Sequence, residues 1–266
     1  MSAPKSPNFD AIARAYRWME YLSFGGSLQR CRTHFLPQLM GSGSALVFGD
    51  GDGRFLAALL AANPALHADA VDSSAAMLRL LERRAHASTR LRTHLAGALD
   101  FTPNRTYDLV ATHFFLDCLT TAEIAALCVR ITPHLASNAR WVISDFHIPS
   151  GPMRWPARIL VRWLYLAFRI LTGLRVTHLP DHRAVLATAG FVRAAQHYAL
   201  AGVLTAELWE YTPAMQLPPQ RPKTPQISDP VPDPEPASPS LPGPDPGVFH
   251  PDPAPACPED AAPPQK

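Results

Sequence analysis

Three glycines in five positions, Gly49, Gly51 and Gly53, follow the apolar run 45–48 and precede a helical pattern over 54–63, with Asp50 and Asp52 between them. Such a strand-to-helix turn lets backbone amides approach a ligand closely at the carboxyl end of the strand. Phosphate is the usual occupant, yet two carboxylates beside a diphosphate would repel it by a few kcal/mol per pair at an effective dielectric of ~20. Arg54 also stands where a dinucleotide fingerprint needs its third glycine. A calcium loop is excluded, because the twelfth position counted from Asp50 is Ala61, where a bidentate glutamate is required. The two carboxylates suit a ligand that carries positive charge.

S-adenosylmethionine is such a ligand, through its sulfonium and α-ammonium groups. A nucleoside with two free ribose hydroxyls also needs a carboxylate at the tip of the second strand, to accept from both. Asp72 lies 19 residues beyond Gly53, the length that one helix and one strand consume. Asp72 read simply as a helix N-cap is the competing interpretation.

These residues need a scaffold, and the chain alternates between two periodicities. The runs 44–49, 67–72, 91–97, 107–115 and 139–146 read as strands, and 54–63, 74–87 and 121–135 read as helices. Asn63 and Pro64 stop the first helix, Ser73 or Ser74 caps the second, and Thr120 with Glu123 forms a capping box. A short helix ending at Gly190 and two strands around Gly202 follow. The alternation predicts an α/β fold, a Rossmann-like three-layer sandwich with a seven-stranded, mostly parallel sheet and a C-terminal antiparallel hairpin.

Composition divides the chain. Residues 213–266 hold 19 of the 29 prolines, a density that removes backbone donors and predicts an extended, solvated, disordered tail. Residues 1–212 form the predicted domain, with 21 basic and 15 acidic side chains, a net of +6 against +2 for the whole chain. That excess is scattered arginine, so no nucleic-acid footprint is expected. Four cysteines without CxxC or His/Cys spacing support neither a zinc site nor a disulfide framework. No secretory signal is read at the N-terminus, so a cytoplasmic protein is expected.

On "LVFGDGDG", "AVDSSAAML", "YDLVATHFFLDCL" and "LASNARWVISDF", residues 8–212 resemble the class I S-adenosylmethionine-dependent methyltransferases, small-molecule branch. The resemblance implies the methionine end of the cofactor on Gly49, Asp50 and Gly51, with Gly53 opening the helix, and the ribose on Asp72. It places adenine against Ser73 and the loop containing Ala98 and Leu99, and Thr112 and His113 beneath the cofactor. Tyr16 would cover it from the N-terminal side. His147 and His113 would lie where an acceptor approaches, and either could be its general base or only a polar loop histidine; Asp117 and Asp145 are weaker candidates for the base that could instead bind these histidines. The chain departs from the family pattern at Val47, where an acid is usual, and at Gly97 and Ala98, where an aspartate is.

Residues 153–176 read as a helical insert, with Arg158, Arg162 and Arg169 on one side at about 100° per residue and a wide apolar remainder. It is too often interrupted by charge to span a membrane. A lid, an interfacial helix making peripheral membrane contact, and a helix packed on the sheet or a second subunit are the three readings. The whole points to O- or C-methylation of a small, apolar acceptor, with no metal. A nicotinamide-dependent oxidoreductase and a non-catalytic cofactor-binding or scaffold protein are the alternatives. Removing residues 214–266 is expected to leave the thermal unfolding midpoint and cofactor binding unchanged; a large fall in either, by calorimetry, would contradict the reading of the tail.

Overall fold

The computed structural model describes residues 26–86, 89–172, 176 and 179–213. Seven strands form one sheet in the order β3-β2-β1-β4-β5-β7-β6: β1 Ser44–Phe48, β2 His67–Asp72, β3 Leu91–Leu95, β4 Tyr107–His113, β5 Leu135–Phe146, β6 Phe191–Ala199 and β7 Leu204–Tyr211. Strands β1 to β5 pair in parallel. The β6–β7 hairpin adds antiparallel through β7 to β5. The Rossmann-like sandwich expected from the alternation of strand and helix patterns is therefore the observed fold.

Helices cover both faces. On one lie α1 (Ser27–Thr33), α2 (Arg54–Ala62) and α3 (Ala75–Arg84), packed through Leu28, Phe35, Phe55, Leu59 and Leu81. On the other, α4 (Thr121–Ile131) and α6 (His182–Thr188) pack through Ile124, Leu127 and Leu186 onto Trp141 and Trp209. Burial on both faces explains why the central strands are near-continuous apolar runs. The chain winds outward from β1 to β3 and returns at β4, so the β1/β4 boundary is the topological switch point, where the carboxyl ends of parallel strands leave a crevice.

Local signals act as expected at several ends. Ser74 caps α3 by accepting from the Met77 amide at 3.2 Å, and Thr120 and Glu123 close a reciprocal capping box on α4. The predicted helix over 121–135 is shorter: α4 stops at Ile131, residues 132–134 tighten into a 3₁₀ turn around Pro133, and β5 begins at Leu135. Proline lacks the amide that would continue the α-helical ladder.

The insert forms α5, Arg154–Thr172. Ala157 and Val161 are buried, whereas Trp155, Ile159 and Trp163 stand exposed at a four-residue spacing beside exposed Arg158 and Arg162. No helix among the described residues is long and apolar enough to cross a membrane. Tyr16, Gly173 and the proline-rich tail lie outside the described residues.

Strand β7 carries a buried charge. Glu207 is fully buried, accepting from Arg183 Nε at 2.7 Å, Trp209 Nε1 at 2.9 Å and Gln196 Nε2 at 3.2 Å, with His182 Nε2 at 3.4 Å. Burial alone would raise its carboxyl, but the His182 and Arg183 donors outweigh it and bring the pKa to about 2. A depressed carboxylate contributes stability above its unfolded pKa and loses it as pH falls through the folded value. Between pH ~4.5 and ~2 the protein should therefore lose up to about 3 kcal/mol through this group. Glu207→Gln should be destabilised at pH 7 and lack that part of the acid sensitivity, as read by urea unfolding across pH.

Candidate functional site

The glycine turn leaves β1 with its first amide, Gly49 N, donating to Val71 O of β2 at 3.0 Å. Gly49, Gly51 and Gly53 all have positive φ, at 60°, 59° and 80°. Any side chain would be strained there. Space is also lacking: a Cβ on Gly53 would lie 2.6 Å from the Leu81 backbone of α3, and one on Gly49 would enter the Phe115 ring. Glycine at these positions lets α2 start against α3 with its amides turned toward the crevice.

The two loop aspartates have different fates. Asp52 is buried and ion-paired to Arg54 Nε at 2.8 Å and Arg84 Nη2 at 2.9 Å, and Arg84 Nε also donates to its carbonyl at 2.9 Å. It fastens the start of α2 to the end of α3. The expectation that both carboxylates face the ligand is thus corrected, because the Asp52 charge is already neutralised. Asp50 turns inward, and its Oδ2 accepts from the Leu56 amide in the first turn of α2 at 2.9 Å. Its buried Oδ1 has no hydrogen-bond partner. Burial pushes this carboxyl up to about 7, against the pull of the Leu56 amide and the Arg32 charge and with the push of Asp52 and Asp72.

Asp72 ends β2, where its Oδ1 accepts from the Ser74 amide at 2.8 Å. The helix cap is Ser74, so the N-cap reading of Asp72 is replaced by a turn that presents it at the strand tip. Ser73 is exposed beside it. After β3, the Gly97 carbonyl accepts from the Asp100 and Phe101 amides, and half-buried Ala98 and Leu99 pack against the α4-side core. Since β1, β2 and β3 are parallel, these three loops share one edge of the sheet.

At the end of β4, alternation separates two predicted site residues. Thr112 is fully buried on the α4 side and accepts from Trp141 Nε1 at 3.0 Å, as a core residue. His113 points the other way, its ring 4.1 Å from that of Phe55 on α2. The Ser144 hydroxyl donates to Cys31 O at 3.3 Å, so His113 Nδ1 carries the proton it shares with Ser144 Oγ at 3.0 Å, and the buried Nε2 keeps a lone pair without a partner. Burial, and then the Arg32 charge, hold this imidazole well below its usual pKa and therefore neutral.

His147 follows β5 and lies on a cavity of about 230 Å³ that His113 does not line. Its Nδ1 donates to Gly202 O at 2.8 Å, which leaves Nε2 as the lone-pair nitrogen. Asp117, Asp145 and His182 contribute polar wall, and Phe146, Ile148, Leu179 and Pro180 contribute apolar wall. The two aspartates do not bind His147 or His113, as the sequence suggested, since those rings pair with Gly202 and Ser144. Asp117 accepts from the Cys118 thiol at 3.5 Å and is raised by burial to about 6. Asp145 is 2% exposed with neither oxygen hydrogen-bonded. Burial, then the Asp117 and Glu207 charges, push it well above the carboxylate range, against the pull of the Phe115 and Asp117 amides, which approach it without reaching full hydrogen-bond geometry.

Sequence reasoning missed Arg32, which is buried with its guanidinium 5.0 Å from the Phe114 ring centroid and acts on both Asp50 and His113. A signal was present: Leu28, Cys31, Arg32 and Phe35 follow the i, i+3, i+4, i+7 spacing of one buried helix face.

Residues 46–141 match the family model described as a methyltransferase domain. No curated protein matches the chain. Among solved structures, it is similar to a putative O-methyltransferase from Nostoc punctiforme, at 19% identity and TM-score 0.59 over 75% of this chain and 58% of that one. Mitomycin 7-O-methyltransferase is similar at 18% identity and TM-score 0.58 over the same shares of the two chains, 75% and 58%. The N-methyltransferase NodS from Bradyrhizobium japonicum, solved with S-adenosyl-L-homocysteine, matches at 13% identity and TM-score 0.53 over 69% of this chain and 87% of that one. The chain spans 58% of the length of the first two. The chain therefore has the fold of these methyltransferases, and the match of residues 46–141 to a methyltransferase-domain model agrees with the resemblance drawn from its motifs.

Because the Asp50 pKa lies near 7 against a usual value near 4, its ionised form is disfavoured in the folded state, and stability falls as pH rises through that window. Asp50→Asn keeps an acceptor for the Leu56 amide and removes the charge. It should match wild type near pH 4 and exceed it at pH 8, by at most ~4 kcal/mol, in urea unfolding.

Proposed function

We propose that this chain is an S-adenosylmethionine-dependent methyltransferase acting on a small acceptor bound beside His147. The single observation that carries the reading is the Asp50 carboxyl, held at the switch point with one oxygen paired to α2 and the other buried and unpartnered. A ligand ammonium would satisfy that oxygen and restore the charge that burial suppresses. The glycine turn is compatible with the same ligand, since its three left-handed residues take a backbone conformation in which side chains would be strained.

In this reading Gly49, Asp50 and Gly51 hold the methionine end, and Gly53 permits the helix start. Asp72 accepts from the ribose hydroxyls, with Ser73 and the Ala98–Leu99 loop beside the base. Bound S-adenosylmethionine supplies an electrophilic methyl group. The protein then supplies alignment and exclusion of water. His147 Nε2, oriented by the Gly202 carbonyl, takes the acceptor's proton at that atom. His113, buried behind Phe55 and neutral, supports the floor of the site and not the acceptor.

One observation keeps a nicotinamide dinucleotide in view: with Asp52 neutralised by Arg54 and Arg84, the turn repels a diphosphate less than its sequence suggests. Titration calorimetry with S-adenosylmethionine and with NADH separates the two. We expect binding of the former alone, and about 10- to 100-fold weaker binding by Asp72→Ala, the scale of a lost charged hydrogen bond. Binding of NADH alone would overturn the reading, binding of neither would favour a scaffold, and an unchanged affinity in Asp72→Ala would remove the ribose role.

A further inference from the structure

The methyltransferase reading leaves the acceptor open, and the cavity wall bears on it. Asp145 is 98% removed from solvent; no donor meets hydrogen-bond geometry with either carboxyl oxygen, the Phe115 and Asp117 amides only approaching it, and it faces the cavity together with buried Asp117. An unpaired buried carboxyl is costly, and native proteins rarely leave one without a reason. Apart from Asp50, the other buried acids Asp69, Asp52 and Glu207 are paired: Asp69 with His94, Tyr107 and Arg105, Asp52 with two arginines, Glu207 with four donors.

We infer that the cavity takes an amine, with its ammonium on Asp145 and Asp117 and its apolar body against Ile148, Leu179 and Pro180.

An ammonium brings three donors and a positive charge, enough for both Asp145 oxygens and a bond to Asp117. A hydroxyl brings one donor and no charge. An anion meets Asp117, Asp145 and, at the rim, Asp181, while the guanidinium of Arg183 is held by Glu207. A metal is not the occupant suggested, because no group of three or more His, Cys, Asp or Glu among the described residues is arranged to hold one. The cavity's ~230 Å³ admits a single small ring with a short side chain. This inference rests on the methyltransferase reading only for calling the amine an acceptor; the binding itself does not.

The test uses the full-length protein and three probes of similar shape: 2-phenylethylamine, 2-phenylethanol and phenylacetate, titrated by calorimetry with and without S-adenosylhomocysteine. The amine should bind at least tenfold more tightly than the alcohol, and phenylacetate should not bind. In Asp145→Asn, an isosteric change, the preference for the amine over the alcohol should disappear, and Asp117→Asn should reduce it if the first variant does not fold. Equal binding of amine and alcohol, preference for phenylacetate, or amine affinity unchanged in a folded variant overturns the inference. Amine binding without S-adenosylhomocysteine binding would leave this inference standing and remove the methyltransferase reading; the reverse result would remove only this inference.

Discussion

A carboxyl group taken out of water must find donors or a counter-charge, or give up its own charge, and this constraint shapes the molecule from end to end. Asp108 takes the Gly43 and Ser44 amides at the start of β1, Asp69 within β2 takes a tyrosine, a histidine and an arginine, and Asp52 bridges two helices through two arginines. Glu207 gathers donors from α6 and both strands of the hairpin. Each pairing ties distant parts of the chain together. Asp50 and Asp145 break the rule, and both lie toward the carboxyl ends of parallel strands.

That location follows from the sheet. Parallel strands present all their carboxyl ends on one edge, and the reversal between β1 and β4 opens a crevice there. Three left-handed glycines, Leu81 and Phe115 hold the β1 turn close, so Asp50 sits against the first turn of α2 with its second oxygen buried and without a hydrogen-bond partner. Further along the edge, β5 delivers Asp145 and His147 to the same side as the start of α6.

Much of this was legible in the sequence. Apolar runs marked the strands, the capping residues marked the helices, and the spacing from Gly53 to Asp72 marked the second strand tip. The late end assigned to α4 came from apolar periodicity continuing through Pro133 into β5. Period-two alternation in β4 already implied that Thr112 and His113 face opposite sides, a rule that the family resemblance overrode. The neutralisation of Asp52 was half visible in adjacent Arg54. Its other partner, Arg84, is 32 residues away and is brought near only by the packing of α3. Orphaned oxygens such as those of Asp145 cannot be read from spacing at all, because they depend on what every neighbouring element fails to supply.

The central claim is that buried Asp50, with one oxygen on the Leu56 amide and the other without a partner, awaits a cation. Titrating the protein with S-adenosylmethionine at pH 7, in two buffers of different ionisation heat, measures it directly. With a free-state pKa of about 7, Asp50 should release roughly half a proton as the ligand's ammonium lets it ionise. Heats that agree in the two buffers, or a net uptake of protons, would contradict the account.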